Sequence, residues 1–182
     1  IKVVYLLANN LQIINILKEN KINYVFKDKN FFNSITNNKN NQFIVFTLAK
    51  INTPLPFNEL LNKLDANSNS LVLILDEIQD IGNLGAILRS ADAFGVDAII
   101  YKKHHQADLL NENVIKTSTN AISYLTICEV VNLNRTIEEL KEHQFWIYAS
   151  CLDEKAQIYS DQEYPNKTCI IVGNENKGVS QS

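Results

Sequence analysis

The hydrophobic positions of the chain fall into short segments whose spacing predicts alternating strands and helices. Residues 71–75 (LVLIL) are uninterruptedly apolar, which predicts a strand buried on both faces. An apolar stripe at helical spacing follows and predicts a helix that begins at an Asn83 N-cap and stops at Gly95. The stripe consists of Leu84, Ile87, Leu88, Ala91 and Phe94. Residues 98–101 predict the next strand.

The rest of the C-terminal part continues this alternation. Residues 124–127, 145–149 and 168–172 predict strands, and a helix capped by Asn132 or Asn134 is predicted between the first two. Strands that alternate with helices favour a mainly parallel sheet with helices on both faces. The fold class predicted for this part is therefore α/β.

The N-terminal part predicts a smaller α/β module in the order βαβαβα. Its segments are strand 2–7, helix 11–20 (capped by Asn9 or Asn10), strand 24–26, helix 31–35, strand 43–48 and helix 57–65. A polar loop is expected at residues 37–42. Residues 67–70 are small and polar, which predicts a linker. We therefore expect one domain at 1–66 and a second at 71–182.

The charge is unevenly distributed between these two parts. Residues 1–66 contain eight lysines and four acidic residues, a net +4, whereas residues 67–182 carry nine basic and sixteen acidic side chains, a net −7. Such asymmetry suggests a module that binds a polyanion, joined to a unit with another task. A general preference for surface lysines would explain the same numbers.

Several classes of protein are disfavoured by composition. The three cysteines are odd in number and widely spaced, so we expect buried thiols and no disulfide framework. The three histidines have no zinc-site spacing, and no metal is expected. No signal-peptide pattern is present, and no apolar run approaches the roughly 18 to 20 residues that span a bilayer. A cytoplasmic protein that does not contact a membrane is the expectation.

Two glycine-containing polar loops stand at the carboxyl ends of predicted strands, at residues 80–85 and 173–178. Ligands bind at that edge of open α/β sheets, so Asn83, Arg89 and Glu175 are expected to converge around a small-molecule pocket. Arg89 lies opposite the apolar stripe, among small residues, which favours a packed or liganded arginine. A solvated arginine among alanines of high helix propensity is the alternative.

Other phosphate-binding and hydrolytic folds fit the loops poorly. Residues 82–85 read GxxG, which is not the dinucleotide fingerprint GxGxxG, and lysines rather than an acid follow the next strand. Neither GxxxxGK[ST] nor the nucleophile elbow GxSxG occurs. A Rossmann-like nucleotide-binding enzyme nevertheless stays open as a competing hypothesis.

The two loops and their surroundings resemble a known family. Residues 76–95 (DEIQDIGNLGAILRSADAFG) resemble the first motif of the SpoU (TrmH) family of RNA ribose 2′-O-methyltransferases, in the SPOUT superfamily, and residues 171–180 (IVGNENKGVS) resemble its second motif. The resemblance implies a trefoil-knot α/β domain that uses S-adenosyl-L-methionine. It extends more weakly to residues 1–66, where many members carry an L30e-like RNA-binding module.

The resemblance also assigns roles to individual residues. Arg89 matches the arginine that binds the neighbouring phosphate and stabilises charge on the attacking oxygen, Asn83 matches the asparagine that orders the catalytic loop, and Glu175 matches the glutamate that holds either of them. Five residues are expected to border the cofactor: Gly173, Asn174, Gly178, Ala149 and Ser150.

The sequence departs from the family pattern at several positions. Ile81 stands where proline is usual, Gly82 where a larger polar residue is frequent, and Asn120 where many members have glycine. A third motif, which closes the knot around the cofactor, is expected some tens of residues beyond Ser182. Because methionine is absent even at position 1, we expect the sequence to be part of a longer protein.

The resemblance implies an RNA partner and a homodimer. The N-terminal module favours ribosomal RNA, with a 23S rRNA guanosine as the expected target. The alternatives are a transfer-RNA 2′-O-methyltransferase and a non-catalytic RNA-binding homologue that has lost the cofactor.

Overall fold

The structure, a computed structural model, describes residues 2–7, 11–36, 42–47, 53–104, 106–151, 153–154 and 156–180. The chain divides into two compact units, Ile1–Ile51 and Asn52–Ser182. Each unit has its own sheet.

The described residues of the first unit form a three-stranded sheet and two helices. Strand β1 (Val3–Leu6) lies in the middle, parallel to β2 (Tyr24–Phe26) and antiparallel to β3 (Ile44–Thr47). Helices α1 (Leu11–Glu19) and α2 (Lys29–Ile35) connect these strands. The predicted strand at residues 24–26 is confirmed. The predicted Asn9 or Asn10 cap and most of the predicted loop at 37–42 lie outside the described residues.

A small core and an N-cap stabilise this unit. Alternate residues of β1, Val4 and Leu6, are buried against Ile14 and Leu17 of α1. The Asp28 side chain accepts a hydrogen bond from the Phe31 backbone N–H at 2.9 Å, which caps α2.

The second unit is a five-stranded, wholly parallel sheet in the order β6-β5-β4-β8-β7. Its strands are β4 (Ser70–Asp76), β5 (Ala98–Lys102), β6 (Ile127–Val130), β7 (Trp146–Ala149) and β8 (Lys167–Gly173). Its helices are α3 (Phe57–Asp65), α4 (Ile81–Ala93), α5 (Glu112–Thr117) and α6 (Leu133–Glu142). The predicted mainly parallel α/β sheet is confirmed.

The described residues of the second unit form two hydrophobic cores, and strand β4 contributes side chains to both of them. Val72 and Ile74 pack with α3 and α6, whereas Leu73 and Leu75 pack with α4 and α5. Because successive side chains of a strand point to opposite faces, the two cores lie on opposite sides of the sheet. This arrangement explains why the sequence of β4 is apolar at every position from 71 to 75.

Helix α3 packs on the second sheet, although the sequence placed it in the N-terminal module. Its buried residues Leu60, Leu61 and Leu64 contribute to the core that includes Val72 and Ile74 of β4. The boundary between the two units accordingly falls after Ile51.

An ion-pair cluster ties α3 to the amino end of the second sheet. The Asp65 carboxylate contacts Lys167 Nζ at 2.9 Å and His143 Nδ1 at 2.6 Å. The hydrogen bond from Lys167 lowers the pKa of Asp65, partial burial opposes that effect, and His143 lowers the pKa further. The end of α3, the C-cap of α6 and the first residue of β8 are thereby joined.

Three predictions for this unit are wrong. Residues 121–123 form a 3-10 turn after Asn120, whose φ is +67°, and β6 starts only at Ile127. The predicted strand at 124–127 therefore overlaps β6 at its last residue alone, and Tyr124 is 78% exposed. Phe94 is 80% exposed because α4 ends at Ala93, before the last position of the predicted stripe. Cys151 is exposed, whereas Cys128 and Cys169 are buried as expected.

Candidate active site

The carboxyl ends of β4, β7 and β8 form one edge of the second sheet. Asp76 at the end of β4 pairs with Gly173 at the end of β8, and Ala149 at the end of β7 pairs with Ile171. Two loops leave this edge. We call residues 76–80, from the last residue of β4 to the start of α4, the first loop, and residues 173–180, from the last residue of β8 onward, the second loop.

Helix α4 starts from the first loop with Asp80 as its N-cap. The Asp80 side chain accepts a hydrogen bond from the Asn83 backbone N–H at 2.7 Å, so the prediction of Asn83 as N-cap is wrong. Asn83 lies in the first turn, and its side chain is free to reach outside the helix. Its Nδ2 donates to Glu175 Oε1 of the second loop at 3.3 Å. The structure thus brings Asn83 and Glu175 together.

Arg89 lies further along the same helix and is exposed. It stands six positions after Asn83, which in an α-helix corresponds to about 9 Å along the axis. Its guanidinium forms no hydrogen bond or ion pair with any residue of the described ranges. The structure therefore does not bring Arg89 into contact with Asn83 or Glu175. Its charge is available to an external group.

The small residues around Arg89 have a packing role at Gly85. A Cβ built on Gly85 would lie 1.9 Å from Thr117 Oγ1 and 3.1 Å from the Ser118 backbone nitrogen. Helices α4 and α5 thus approach so closely that only glycine fits at this position, as the sequence suggested.

The second loop is a tight turn organised by Asn174. Asn174 Oδ1 accepts hydrogen bonds from the backbone N–H groups of Asn176 (3.0 Å) and Lys177 (3.2 Å), and the Gly178 N–H donates to the Asn174 carbonyl at 2.8 Å. Asn174 Nδ2 donates to the Glu77 carbonyl of the first loop at 2.9 Å. Its side chain, expected at the cofactor, is thus used within the protein.

The two glycines of the second loop are required for different reasons. A Cβ on Gly173 would lie 2.2 Å from the Gly178 carbonyl carbon and 2.2 Å from the Val179 nitrogen, so the turn itself fills that space. Gly178 has φ +71° with open space on its side-chain side, so its backbone conformation demands glycine. Neither requirement depends on a ligand.

Ala149 and Ser150 lie beside the second loop. The Ser150 backbone N–H donates to the Ile171 carbonyl at 2.9 Å, which extends the β7–β8 pairing past the strand end. Both side chains are exposed and small. They leave this part of the edge uncovered within the described residues.

Asp76 is a further residue of the site, whose role the sequence pattern did not predict. Its carboxylate Oδ2 accepts two hydrogen bonds from Ser180, from the backbone N–H and from the hydroxyl, each at 2.7 Å. Its Oδ1 is buried without a hydrogen-bond partner among the described residues. The signal available in the sequence was an acid that directly follows five apolar strand residues, where burial is expected.

Two features are absent from the described part of the chain. In those ranges no three His, Cys, Asp or Glu side chains are grouped as metal ligands would be. No helix among the described residues is long and apolar enough to cross a membrane.

The second unit is a parallel α/β fold with two polar loops at the carboxyl edge of its sheet, and the fold of the chain matches those of solved SpoU and rRNA methyltransferases. The SpoU methyltransferase AviRb from Streptomyces viridochromogenes, crystallised with AdoMet, aligns with a TM-score of 0.73 at 16% identity over 99% of this chain and 68% of AviRb. An AdoMet-bound rRNA methyltransferase from Sinorhizobium meliloti aligns with a TM-score of 0.74 at 20% identity, over 98% of this chain and 65% of that protein.

Sequence comparison identifies the family. Residues 70–182 match the SpoU rRNA Methylase family. A Mycoplasma genitalium protein named as an uncharacterized tRNA/rRNA methyltransferase is 37% identical over all of this chain and 75% of its own length. A putative TrmH family tRNA/rRNA methyltransferase from Staphylococcus haemolyticus is 41% identical over 64% of this chain and 46% of its own length. The chain belongs to the SpoU family, as its two motifs predicted.

Proposed function

We propose that this protein is an S-adenosylmethionine-dependent RNA methyltransferase that modifies a ribose 2′-hydroxyl. The observation that carries the proposal is the Asn83–Glu175 hydrogen bond, which joins the two family motifs at the carboxyl edge of the sheet. Arg89, on the helix that begins at this edge, has no partner among the described residues and is available to RNA.

The chemical difficulty is the high pKa of a ribose hydroxyl, which keeps the oxygen protonated at neutral pH. Arg89 addresses it by binding an adjacent phosphate and by stabilising the negative charge that develops on the oxygen. Asn83, in the first turn of the helix that carries Arg89, contacts Glu175 and so brings the second loop beside the start of α4. Alignment of the reacting atoms supplies a further part of the rate.

The cofactor is proposed to lie against Ala149, Ser150 and the second loop, at Gly173, Asn174 and Gly178. Ala149 and Ser150 suit this role because they are small, uncharged and exposed, and so leave room at the edge of the sheet. When bound, S-adenosylmethionine supplies an activated methyl group on its sulfonium. The ribose oxygen gains the methyl carbon as the carbon–sulfur bond breaks, and its proton passes to solvent. The products are 2′-O-methylated RNA and S-adenosylhomocysteine.

The RNA is proposed to bind first through the N-terminal unit, as an L30e-like module would. Residues 1–51 contain seven lysines and two acidic residues, a net +5, and residues 52–182 are net −8. A polyanion is attracted to the first and repelled by the second. We propose ribosomal RNA, with a 23S guanosine as target, and a cytoplasmic homodimer whose catalytic domain has the trefoil knot of the SPOUT fold.

Mapping of RNA modification tests this function. The ribose methylation of ribosomal and transfer RNA is compared between cells with and without the gene. Loss of one 2′-O-methyl mark from ribosomal RNA is expected. Loss of a mark from transfer RNA would correct the substrate, and unchanged ribose methylation in both RNAs would contradict the function and favour the non-catalytic homologue.

A further inference from the structure

The first and second loops are fastened together by two buried polar side chains. Asp76 and Asn174 are 2% and 8% exposed. Burying a carboxylate or an amide is costly unless its hydrogen bonds are made, and an apolar residue would fit the adjoining core without that cost. The hydrogen bonds of these two side chains show which parts of the two loops they connect.

Asp76 forms the first tie. Its Oδ2 receives the backbone N–H and the hydroxyl of Ser180 at 2.7 Å each. Both hydrogen bonds are short, and they are made by a side chain that is almost fully buried. They hold the far end of the second loop against the last residue of β4.

Asn174 forms the second tie. Its Nδ2 binds the carbonyl of Glu77, at 2.9 Å, and its Oδ1 binds two N–H groups of its own loop. Glu77 has φ +61°, a conformation that is uncommon for a residue with a side chain. The bond from Asn174 therefore fixes a turn that the backbone would not favour by itself.

Glu175 lies between the two ties. It follows Asn174 directly, precedes Ser180, and is itself exposed. Its contact with Asn83, 3.3 Å long, is at the upper end of hydrogen-bond distances. Such a contact between two exposed side chains does not hold two loops in register, whereas the buried ties on either side of it do.

We infer that Asp76 and Asn174 act as positioning residues, forming a two-point clasp that sets Glu175 against Asn83 for methyl transfer. This role deepens the proposed function and rests on it. The clasp itself is a property of the fold and can be tested without any assay of methyl transfer.

The first experiment measures amide hydrogen exchange by nuclear magnetic resonance in Asp76→Ala and Asn174→Ala. If the Asp76–Ser180 and Asn174–Glu77 contacts open together, Asn174→Ala speeds exchange at the amide of Ser180, with which Asn174 makes no hydrogen bond. Asp76→Ala likewise speeds exchange at the amides of Asn176 and Lys177. Each acceleration is expected to be about tenfold or more, as for a cooperative opening.

Matched variants accompany this measurement. Ser180→Thr keeps both donors to Asp76 and is expected to exchange as wild type, whereas Ser180→Ala loses one donor and is expected to fall between wild type and Asp76→Ala. Asn166→Ala removes an exposed amide at the opposite end of β8 and serves as the control. Acceleration confined to the direct partners of each replaced side chain would overturn the clasp.

The second experiment is a double-mutant cycle on the rate of methyl transfer. Asn174→Ala is expected to lower kcat by about 10²-fold through misplacement of Glu175. In a Glu175→Ala background the same change is expected to alter kcat less than about threefold, since the residue through which it acts is gone. Equal effects in both backgrounds would overturn the positioning role.

The two experiments separate the failure of the clasp from the failure of the function. A wild-type protein that transfers no methyl group would overturn the proposed function and the positioning role together. Coupled exchange in that protein would still support the clasp as a property of the fold. Uncoupled exchange in an active enzyme would overturn the clasp and leave the function standing.

Discussion

Gly85 shows how closely one residue can determine helix packing in this protein. A Cβ at this position would overlap Thr117 of α5, at 1.9 Å from its Oγ1. We expect Gly85→Ala to lower the free energy of unfolding by about 1–3 kcal/mol through overpacking. Urea unfolding measures the change.

Gly82 provides the matched control on the same helix. A Cβ there would lie 3.1 Å from Asp80 Oδ1, the capping atom of α4, and a shift of a few tenths of an ångström would relieve this contact. Because alanine has a higher helix propensity than glycine, we expect Gly82→Ala to stay within about 1 kcal/mol of wild type. Equal destabilisation by both variants would contradict the packing argument.

Asp65 makes stability depend on pH. The pKa of Asp65 is lowered in the folded protein, chiefly by the hydrogen bond from Lys167. A carboxyl with a depressed folded pKa stabilises the protein above its unfolded pKa of about 3.9, and loses that effect as the pH falls through the folded value.

We therefore expect Asp65→Asn to be less stable than wild type above about pH 5, with the difference shrinking below about pH 4. Thermal unfolding across this range is the measurement, and Asp92→Asn, at an exposed position of α4, is the control. A difference that grows as the pH falls would refute the assigned role of Asp65.

The sequence could predict the polar residues of the site but not all of their roles. Asp80 and Asn83 are both capable N-caps three positions apart, and the choice depends on which one has extended backbone dihedrals. Asp80 does, with φ −74° and ψ +122°. Asp76 was visible as an acid after an apolar strand, but its partner Ser180 is 104 residues away.

At the scale of elements, two side chains at the start of α4 are expected to have different effects. Asp80 contributes to the stability of the helix, and Asn83 contributes to activity. Asp80→Ala removes the cap, so it is expected to cost about 1 kcal/mol of stability. Asn83→Ala leaves the cap in place but removes the contact with Glu175. We expect this variant to keep its Tm and to lose kcat.

The comparison requires Tm and methyl-transfer rate for both variants. The effects should be reversed between them, with Asp80→Ala the less stable and Asn83→Ala the less active. If Asn83→Ala were the variant with the lower Tm, Asn83 would be a structural residue and its assignment to the site would fail.

Strands β4 and β8 were predictable because both lie inside the sheet and read as apolar runs. Strand β6 was misplaced because the apolar residues at 121, 122 and 125 are buried in a turn. Hydrophobicity indicates burial, but a short apolar run does not distinguish a strand from a packed turn. The chain is redirected there by Asn120, which has a left-handed conformation and stands where many family members have glycine.

At the scale of the whole molecule, the first unit has a net positive charge and the second unit a net negative charge. We expect replacement of Lys18, Lys21, Lys27 and Lys29 by glutamine to weaken RNA binding and to flatten its dependence on salt. Each lost phosphate contact should reduce the logarithmic salt slope by about 0.7 for single-stranded RNA. Fluorescence anisotropy at several salt concentrations measures this slope.

Lys141→Gln, on α6 of the acidic unit, is the control and should leave the slope unchanged. Affinity for S-adenosylmethionine should be the same in all variants, since the lysines lie in the other unit. A salt slope insensitive to the four replacements would exclude the first unit as the main RNA-binding surface.

The family and the α/β class were predictable from two motifs and from the alternation of elements. The position of α3 was not. Its apolar face shows that it covers a sheet, but an amphipathic pattern does not specify which sheet. Only the packing of Leu60, Leu61 and Leu64 assigns the helix to the second unit.

The central claim is that Arg89 belongs to a methyl-transfer site, and the chain offers a matched control for it. The sequence has two arginines. Arg135 is exposed on α6 and forms an ion pair with Glu139 at 2.7 Å, whereas Arg89 has no partner among the described residues.

The decisive measurement is the rate at which full-length Arg89→Ala and Arg135→Ala transfer tritiated methyl groups to RNA, with the label located by alkaline hydrolysis. We expect Arg89→Ala to lose about 10²–10³-fold in kcat with its fold intact, and Arg135→Ala to match wild type. The wild-type label should appear in alkali-resistant dinucleotides. Wild-type turnover by Arg89→Ala, or label found in the bases, would contradict the account.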